Sequence, residues 1–279
     1  MAPKLGILAG SGDLPVRLIA AARAAGRDVF VVAFEGDTPP ELVDTVPHAW
    51  VRLGAVSAVV KALHGAAVGE VVLAGGMRRP SLSALKPDWR GIKMLKRIGQ
   101  AAARGDGALL QVVVDELESE GFRVVGADDI LTDLLAPAGV LGAVEPDEDA
   151  WADIAVAVAA ARAIGAMDVG QGAVAQQGVV LGVEAKEGTD ELIARCARLR
   201  QEGPGGVLAK VKKPDQERRV DLPTIGVNTV EAARKADLSG IAVEAAQSLI
   251  IDRPAVIRAA DEAGLFVVGV GVGEDRAPD

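Results

Sequence analysis

The sequence predicts an α/β protein of two α/β domains: an N-terminal Rossmann-like domain with a parallel sheet, and a distinct C-terminal mixed α/β domain. The first observation is that short β-branched runs alternate with Ala-rich stretches of helical length, which is typical of parallel strands joined by crossover helices. The second is that acidic and turn-forming residues crowd into residues 126–149, and the alternation restarts beyond them. We therefore predict domains at residues 1–131 and 134–279.

In the N-terminal half, apolar runs and Ala-rich stretches follow one another in strict succession. The predicted strands are residues 5–9, 29–34, 71–74 and 122–125. The predicted helices are residues 15–25, 56–66 and 106–120. Pro15 suits the first turn of its helix, and Gly26 suits the end of that helix.

In the C-terminal half, a helix from residue 147 to about 164 is predicted, because acidic residues at its start favour the positive end of the helix dipole. Thr189 is expected to cap a helix that runs to about Arg200, and Asn228 or Thr229 to cap another. The predicted strands are residues 179–184, 206–211, 241–245, 248–251 and 265–270.

The composition excludes several classes of protein. A net charge of −9, with four Phe, three Trp and no Tyr, argues against nucleic-acid binding. One Cys and two His cannot supply a cysteine-based zinc site, a disulfide framework within the chain, or the several His ligands of a metallophosphatase. The N-terminal apolar run is too short for a signal peptide, and the longest charge-free stretch, residues 169–183, is too short and polar to span a bilayer. We expect a soluble cytoplasmic protein and leave surface contact with a membrane open.

The stretch L-A-G-S-G-D-L-P places Gly10, Ser11 and Gly12 directly after the first strand. A dinucleotide fingerprint needs a third glycine where this chain has Pro15, although Glu35 ends the second strand where a ribose-binding acid would stand. Three interpretations stay open: dinucleotide binding, another phosphate or nucleotide contact through backbone N–H groups, and a structural turn.

The stretch G-G-M-R-R-P ends the strand at residues 71–74 and begins a basic segment. Only Asp88 opposes the basic residues there, which are Arg78, Arg79, Lys86, Arg90, Lys93, Lys96, Arg97 and Arg104. Guanidinium and ammonium groups complement phosphate oxygens. A solvated basic face is the simpler interpretation for each lysine, whereas substrate contact is as plausible as a solvated face for Arg78.

Three stretches of the C-terminal half carry further candidate residues. D-V-G-Q-G holds Asp168 and Gln171, and V-E-A-K-E-G-T-D holds Glu184 and a helix start. The third stretch is K-V-K-K-P-D-Q-E-R-R-V-D-L-P-T-I-G, residues 210–226. Its basic residues precede Asp221, which could bind Mg²⁺ or accept a proton from water. Magnesium usually takes one or two carboxylates together with phosphate oxygens and waters. There is no Walker G-x-x-x-x-G-K-[ST] pattern, which argues against a P-loop NTPase.

Together these stretches resemble the LpxI family over nearly the whole chain and in the same order. The segments are L-G-I-L-A-G-S-G-D-L-P, V-V-L-A-G-G-M-R-R-P, G-D-G-A-L-L, and E-A-K-E-G-T-D followed by K-V-K-K-P-D-Q-E-R-R-V-D-L-P-T-I-G. The resemblance implies hydrolysis of UDP-2,3-diacylglucosamine to UMP and 2,3-diacylglucosamine 1-phosphate (lipid X) in lipid A biosynthesis. It also implies a substrate held between two α/β domains, a requirement for Mg²⁺, and attack of water on the β-phosphorus.

The family's essential aspartate matches Asp221, which we therefore expect to be catalytic and a metal ligand. Asp168, Gln171 and Glu184 are further catalytic candidates. The expected substrate-binding residues are Gly10, Ser11, Gly12, Gly75, Gly76, Met77, Arg78, Thr189, Lys210, Lys212 and Lys213. Peripheral contact with the cytoplasmic face of the inner membrane and a homodimer are left open. The alternative function is a nucleotide-sugar or dinucleotide binding protein without hydrolysis.

Overall fold

The computed structural model describes residues 2–77, 87–101, 106–214 and 216–271, and within these ranges it leaves out the side chains of residues 99–101 and 106–109. The chain divides into two compact units. The first comprises Met1–Thr132 and Glu217–Asp221, and the second comprises Asp133–Gln216 and Leu222–Asp279. The division after Thr132 falls between the predicted domain limits, 131 and 134. The assignment of Glu217–Asp221 to the first unit was not predicted from the sequence.

The first unit is built on a parallel sheet. Its strands in the described residues are β1 (Leu5–Ala9), β2 (Val29–Phe34), β3 (His48–Val51), β4 (Glu70–Ala74) and β5 (Arg123–Val124). Its helices there are α1 (Asp13–Ala24), α2 (Val56–Gly65), α3 (Trp89–Ala101) and α4 (Asp106–Ser119), with a short 3-10 helix at Pro40–Leu42. The strand order is β3-β2-β1-β4-β5, and all four pairings are parallel.

The centre of this sheet lies at β1, whose five residues are all buried. Leu5 pairs with Val29 of β2 on one side and with Glu70 of β4 on the other, so the strand order reverses at β1. In open α/β sheets ligands bind outside the carboxyl ends of the strands at such a reversal. The fold therefore draws attention to the loops that follow β1 and β4.

The strands of the second unit in the described residues are β6 (Gly139–Val140), β7 (Gly172–Gln176), β8 (Val179–Val183), β9 (Val207–Lys210), β10 (Thr224–Ile225), β11 (Gly240–Glu244), β12 (Leu249–Ile250) and β13 (Phe266–Val270). They form a mixed sheet of order β6-β13-β11-β9-β7-β8 and a separate parallel pair, β10-β12. The helices are α5 (Glu148–Ala166), α6 (Thr189–Ala197), α7 (Val227–Lys235) and α8 (Arg253–Ala263). Strands β9, β11 and β13 run parallel, whereas β6 and β7 run antiparallel to their neighbours. Both predicted sheet types are confirmed.

Two predicted helix caps are wrong. Gly188, with φ +84°, caps α6, and Thr189 is the first residue of that helix. Gly226 caps α7, and the Thr229 hydroxyl accepts a hydrogen bond from the Gly226 N–H over 3.3 Å. At α6 the positive φ of Gly188 favours glycine and leaves the Thr189 hydroxyl for another contact, whereas Gly226 has an extended backbone that any residue can adopt. The acidic start of α5 is confirmed, since Asp147 accepts a hydrogen bond from the Ala150 N–H.

No helix in the part of the chain that the structure describes is both long and apolar enough to cross a bilayer.

Candidate functional site

The loops after β1 and β4 are joined into one structure at the edge of the parallel sheet. The Ser11 N–H donates to the Gly76 carbonyl over 2.8 Å, and the Gly76 N–H donates back to the Ser11 carbonyl over 3.0 Å. The Ser11 hydroxyl donates to the same Gly76 oxygen over 3.0 Å. We call these two loops, residues 10–12 and 75–77, the glycine edge.

The glycines of this edge are needed for two different reasons. A Cβ atom at Gly10 would overlap the Gly76 carbonyl, and one at Gly75 would overlap the Ser11 carbonyl. A Cβ atom at Gly12 would meet no other atom within 4 Å, so only the backbone conformation, with φ +93°, requires glycine there. The structural-turn interpretation thus accounts for Gly10 and Gly75, while the space beside Gly12 is open at the start of α1. Ligand contacts by this edge stay a prediction.

The basic segment that follows is only partly described. Arg78, Arg79, Lys86 and Arg104 lie outside the described residues. Arg90 binds Glu120, and Arg97 binds Asp115 and Glu116 over 3.3 and 3.2 Å, so that both arginines tie α3 to α4. Lys93 and Lys96 are exposed. These two arginines therefore have structural partners, and the interpretation as a solvated face fits the two lysines.

In the second unit, a hydrogen-bonded network joins three predicted site residues, Asp168, Gln171 and Lys213, to Gln216, which was not predicted. The Lys213 ammonium binds the Asp168 carboxylate over 2.7 Å. The Gln216 side chain donates to the Gln171 side-chain oxygen over 3.2 Å and accepts from the Lys213 N–H over 3.0 Å. Gln216 is buried, which only the folded loop could reveal. This network fixes the loop after β9 against the loop before β7.

Glu184 is buried, and both of its carboxylate oxygens are occupied. One oxygen accepts from the Thr189 hydroxyl over 2.7 Å and the other from the Gln171 N–H over 3.1 Å. The Thr189 hydroxyl is used here and not as a helix cap. This geometry gives Glu184 and Thr189 a structural role in joining the end of β8 to the start of α6. Their predicted roles in catalysis and substrate binding stay predictions.

The predicted lysines of β9 and its loop also have partners within their own unit. Lys210 is buried, and its ammonium donates to the Thr224 carbonyl over 3.0 Å. The Lys212 N–H donates to the Glu244 carboxylate over 2.8 Å, and its ammonium donates to the Lys213 carbonyl over 3.3 Å. An ammonium group has three donors. Hence Lys212, which is half-buried, keeps capacity for a further acceptor.

The segment Glu217–Asp221, which we call the aspartate segment, packs on the first unit through two adjacent arginines. Arg219 binds Glu217 over 2.9 and 3.0 Å, Glu118 over 2.6 Å and the Val124 carbonyl over 3.4 Å. Hydrogen bonds to Glu217 first, and then to Glu118, raise the pKa of Arg219 above its usual value. The segment is therefore held by charge-assisted contacts, which are the strong class of hydrogen bond.

The neighbours of Arg219 add two further contacts. Arg218 binds the buried Asp128 carboxylate over 2.8 Å. Val220 packs against the apolar core that contains Val124 and Leu117. An ion pair to a buried carboxylate and an apolar contact fix the segment on both sides of Arg219.

At the end of this segment lies Asp221, whose backbone has a hydrogen-bond partner and whose carboxylate has none within the described ranges. The Asp221 N–H donates to the Glu217 carbonyl over 3.0 Å, and the residue is half-buried. Among the described residues, no hydrogen bond or ion pair engages the Asp221 carboxylate. The described residues also contain no cluster of three His, Cys, Asp or Glu that could hold a metal ion. As far as the described residues go, Asp221 thus presents an unengaged carboxylate from a well-anchored backbone.

Comparisons with known proteins cover nearly the whole chain. The family profile described as the LpxI N-terminal domain matches residues 4–134, and that of the LpxI C-terminal domain matches residues 137–268. A protein of Caulobacter vibrioides, described as UDP-2,3-diacylglucosamine pyrophosphatase LpxI, is 48% identical over 273 residues, which are 96% of this chain and 97% of that protein. A solved structure of CobK precorrin-6A reductase is 15% identical with a TM-score of 0.34, covering 100% of this chain and 91% of that one. A likeness at that TM-score carries no argument.

Proposed function

The chain belongs to the LpxI family, and on that basis we propose that it hydrolyses the diphosphate of UDP-2,3-diacylglucosamine in lipid A biosynthesis. The observation that carries the proposal is the 48% identity, over 96% of the chain, to a pyrophosphatase described by that substrate. The proposed products are UMP and lipid X. In this reaction the water oxygen bonds to the β-phosphorus, the bond from that phosphorus to the bridging oxygen breaks, and the bridging oxygen leaves on UMP with the electron pair.

We propose that Asp221 is the reacting carboxylate of this chain. Support comes from its position: it is half-buried, and within the described part of the chain its carboxylate has no other partner. Such a group can accept the proton that the attacking water loses, provided that it is held in place. Diphosphate hydrolysis depends mainly on positioning and charge neutralisation. The two arginine contacts of the aspartate segment supply the positioning.

We also propose Mg²⁺ as the cofactor, with Asp221 as its ligand from the chain. The described residues contain no cluster of three His, Cys, Asp or Glu that could hold the ion by themselves. One carboxylate ligand from the chain therefore suits a Mg²⁺ ion that arrives already bound to the substrate diphosphate. When bound, Mg²⁺ would neutralise phosphate charge.

The glycine edge is the proposed contact for the nucleotide. It lies at the reversal of strand order where open α/β sheets bind their ligands, and it belongs to the same unit as Asp221. The open space beside Gly12 allows close approach to the backbone at the start of α1. Substrate contacts by Lys210, Lys212 and Lys213 stay predictions, as do the homodimer and a catalytic part for Asp168 and Gln171.

We further propose that the enzyme acts in the cytoplasm in peripheral contact with the inner membrane. The motivation is the substrate, whose two acyl chains belong in a bilayer. An enzyme that rests on the bilayer surface can reach the diphosphate of such a lipid at the level of the headgroups.

The function is tested with purified protein and UDP-2,3-diacylglucosamine in detergent micelles, with Mg²⁺ or with excess EDTA. UMP and lipid X are expected in equal amounts with Mg²⁺, and neither with EDTA. Run in ¹⁸O-water, the reaction should place the label in the lipid X phosphate, because water bonds to the β-phosphorus. Binding of substrate without any product would favour the non-hydrolytic alternative, and label in UMP would contradict attack at the β-phosphorus.

A further inference from the structure

Helix α3 exposes a face that the proposed chemistry does not use. Trp89 and Ile92 are 67% and 60% exposed, although both are large apolar side chains, and they lie one helical turn apart. Lys93 and Lys96 are exposed beside them. We call these four residues the α3 face. Burying its tryptophan and isoleucine against a partner would remove apolar surface from water.

The helix is held rigidly enough to present this face. Asp88 accepts hydrogen bonds from the Gly91 N–H over 2.8 Å and the Ser57 N–H over 2.7 Å, which fixes the start of α3 against the start of α2. A Cβ atom at Gly91 would overlap the Gly54 carbonyl, so the helix backbone lies directly on the loop before α2. The orientation of the α3 face is therefore set by the fold of the first unit.

The charge of this face is positive in a protein whose net charge is −9. The sequence from Trp89 to Ala101 contains no acidic residue. Arg90 and Arg97 form ion pairs with carboxylates at the end of α4 and just after it, whereas Lys93 and Lys96 are exposed. An anionic partner thus complements this face, although it would be repelled by the protein as a whole.

We propose that the α3 face docks the enzyme on the surface of an anionic lipid bilayer. The proposal deepens the proposed function and rests on it for the choice of a lipid surface. Tryptophan prefers the headgroup level of a bilayer, isoleucine adds aliphatic surface, and lysine ammonium groups bind lipid phosphates. The combination of a large apolar side chain with lysines is typical of interfacial helices.

The other exposed tryptophan on a helix differs in its surroundings. Trp151 on α5 is 44% exposed, but Glu148 and Asp149 precede it in the same turn. An anionic bilayer would repel that position. A second copy of this chain is also a poor partner for the α3 face, because an isologous contact would set its lysines against the same lysines of the other copy.

The test is sedimentation of the full chain with vesicles of phosphatidylethanolamine and phosphatidylglycerol, compared with vesicles of phosphatidylcholine alone. Binding is expected only to the anionic vesicles and should weaken as salt is raised. Lys93→Gln/Lys96→Gln should lower the partition coefficient by roughly 25-fold, since each lysine near an anionic surface is worth about fivefold. Trp89→Ala/Ile92→Ser should lower it at least as much, and the matched control Trp151→Ala should bind as the natural sequence does.

Tryptophan fluorescence gives an independent measure of contact between the α3 face and the bilayer. In a Trp50→Phe/Trp151→Phe background, Trp89 fluorescence should shift to the blue on anionic vesicles and be quenched by brominated lipid. Hydrolysis in micelles by the α3 variants should stay unchanged, which shows that they fold and separates this inference from the proposed function. Unchanged vesicle binding by both double variants would overturn the inference, as would a dimer in light scattering that Trp89→Ala/Ile92→Ser dissociates.

Discussion

Glu184 and Asp221 are both candidate carboxylates from the sequence, with Asp221 the first choice, and their surroundings in the structure are opposite. Glu184 is buried, and its two oxygens accept from Thr189 and Gln171. Asp221 is half-buried, and within the described residues nothing binds its side chain. Glu184 therefore stabilises the fold through its hydrogen bonds, whereas the contacts of the aspartate segment hold Asp221 in position. A carboxylate has about four acceptor sites, of which Glu184 uses two inside the fold, whereas no contact within the described residues uses those of Asp221. Asp221 is therefore the better candidate for proton or metal chemistry.

The largest effect is expected for Asp221→Ala. The turnover number should fall by about 10²–10⁴-fold, because a positioned group of this kind contributes that much to a proton-transfer step. Its free energy of unfolding should stay within about 0.5 kcal/mol of the natural sequence, since no described side-chain contact is lost. UMP release and urea unfolding measure the two quantities. Asp133→Ala, at an exposed loop position, is the matched control and should keep full activity.

The next effect is expected for Arg219→Ala, which removes the contacts to Glu118 and Val124. The turnover number should fall by about 10–10²-fold, because a small displacement of Asp221 is costly, and KM should change less. Arg219→Lys should restore part of the loss. In an Asp221→Ala background the same change should add nothing, as expected for residues that act as one unit.

Arg200→Ala is the control for this prediction, since Arg200 binds Asp237 on the surface of the second unit. It should leave turnover unchanged. An equal loss of turnover in Arg219→Ala and Arg200→Ala would show that Arg219 acts on stability alone. The same conclusion would follow if Arg219→Ala lowered turnover as much in the Asp221→Ala background as in the natural sequence.

A smaller effect on activity, but a clear one on stability, is expected for Glu184→Ala. Loss of a buried charged acceptor with two donors should lower the free energy of unfolding by roughly 1.5–3 kcal/mol. Turnover of the folded fraction should stay within about threefold of the natural sequence, a range that corresponds to well under 1 kcal/mol. Glu187→Ala, three residues on, removes an exposed ion pair with Arg195 and should cost less stability. Inactive but stable Glu184→Ala protein would instead place Glu184 in the chemistry.

The smallest effect is expected for Asp88, a third carboxylate. Like Glu184, it accepts hydrogen bonds from groups within the fold. Burial raises its pKa, but hydrogen bonds from the Gly91 and Ser57 N–H groups outweigh burial and lower the pKa below its usual 3.8. The stability that Asp88 contributes is therefore present above pH 3.8 and is lost as the pH falls through the lowered value. The difference in free energy of unfolding between the natural sequence and Asp88→Ala should shrink over that interval. A difference that is constant with pH would contradict the lowered pKa.

Much of the fold follows from sequence pattern, and the exceptions have physical causes. The strands at residues 5–9, 29–34 and 71–74 are continuous apolar runs because strands of a parallel sheet are buried on both faces. Strand β3 was missed because H-A-W-V is a short, largely exposed edge strand. Strand β7 was missed because Gly172 and Gln176 do not suggest a strand, although all five of its residues are buried.

The site was less predictable than the fold, because it depends on contacts distant in the sequence. The motifs indicated Asp221 first and Glu184 as a further candidate, and only the folded chain shows that the Glu184 carboxylate accepts hydrogen bonds from Thr189 and Gln171. Likewise, the basic residues before Asp221 suggested a phosphate site, yet Arg219 binds Glu118, which lies 101 residues earlier. No local pattern could place the aspartate segment on the first unit.

The most direct test of this account is a paired measurement on the amide variants Asp221→Asn and Glu184→Gln, which keep the shape of each side chain. For each, UMP release from UDP-2,3-diacylglucosamine with Mg²⁺ is measured beside the free energy of unfolding in urea. Asp221→Asn is expected to be stable and to lose most of its turnover, whereas Glu184→Gln is expected to be less stable and to turn over normally. Normal turnover by Asp221→Asn together with a stable, inactive Glu184→Gln would contradict it.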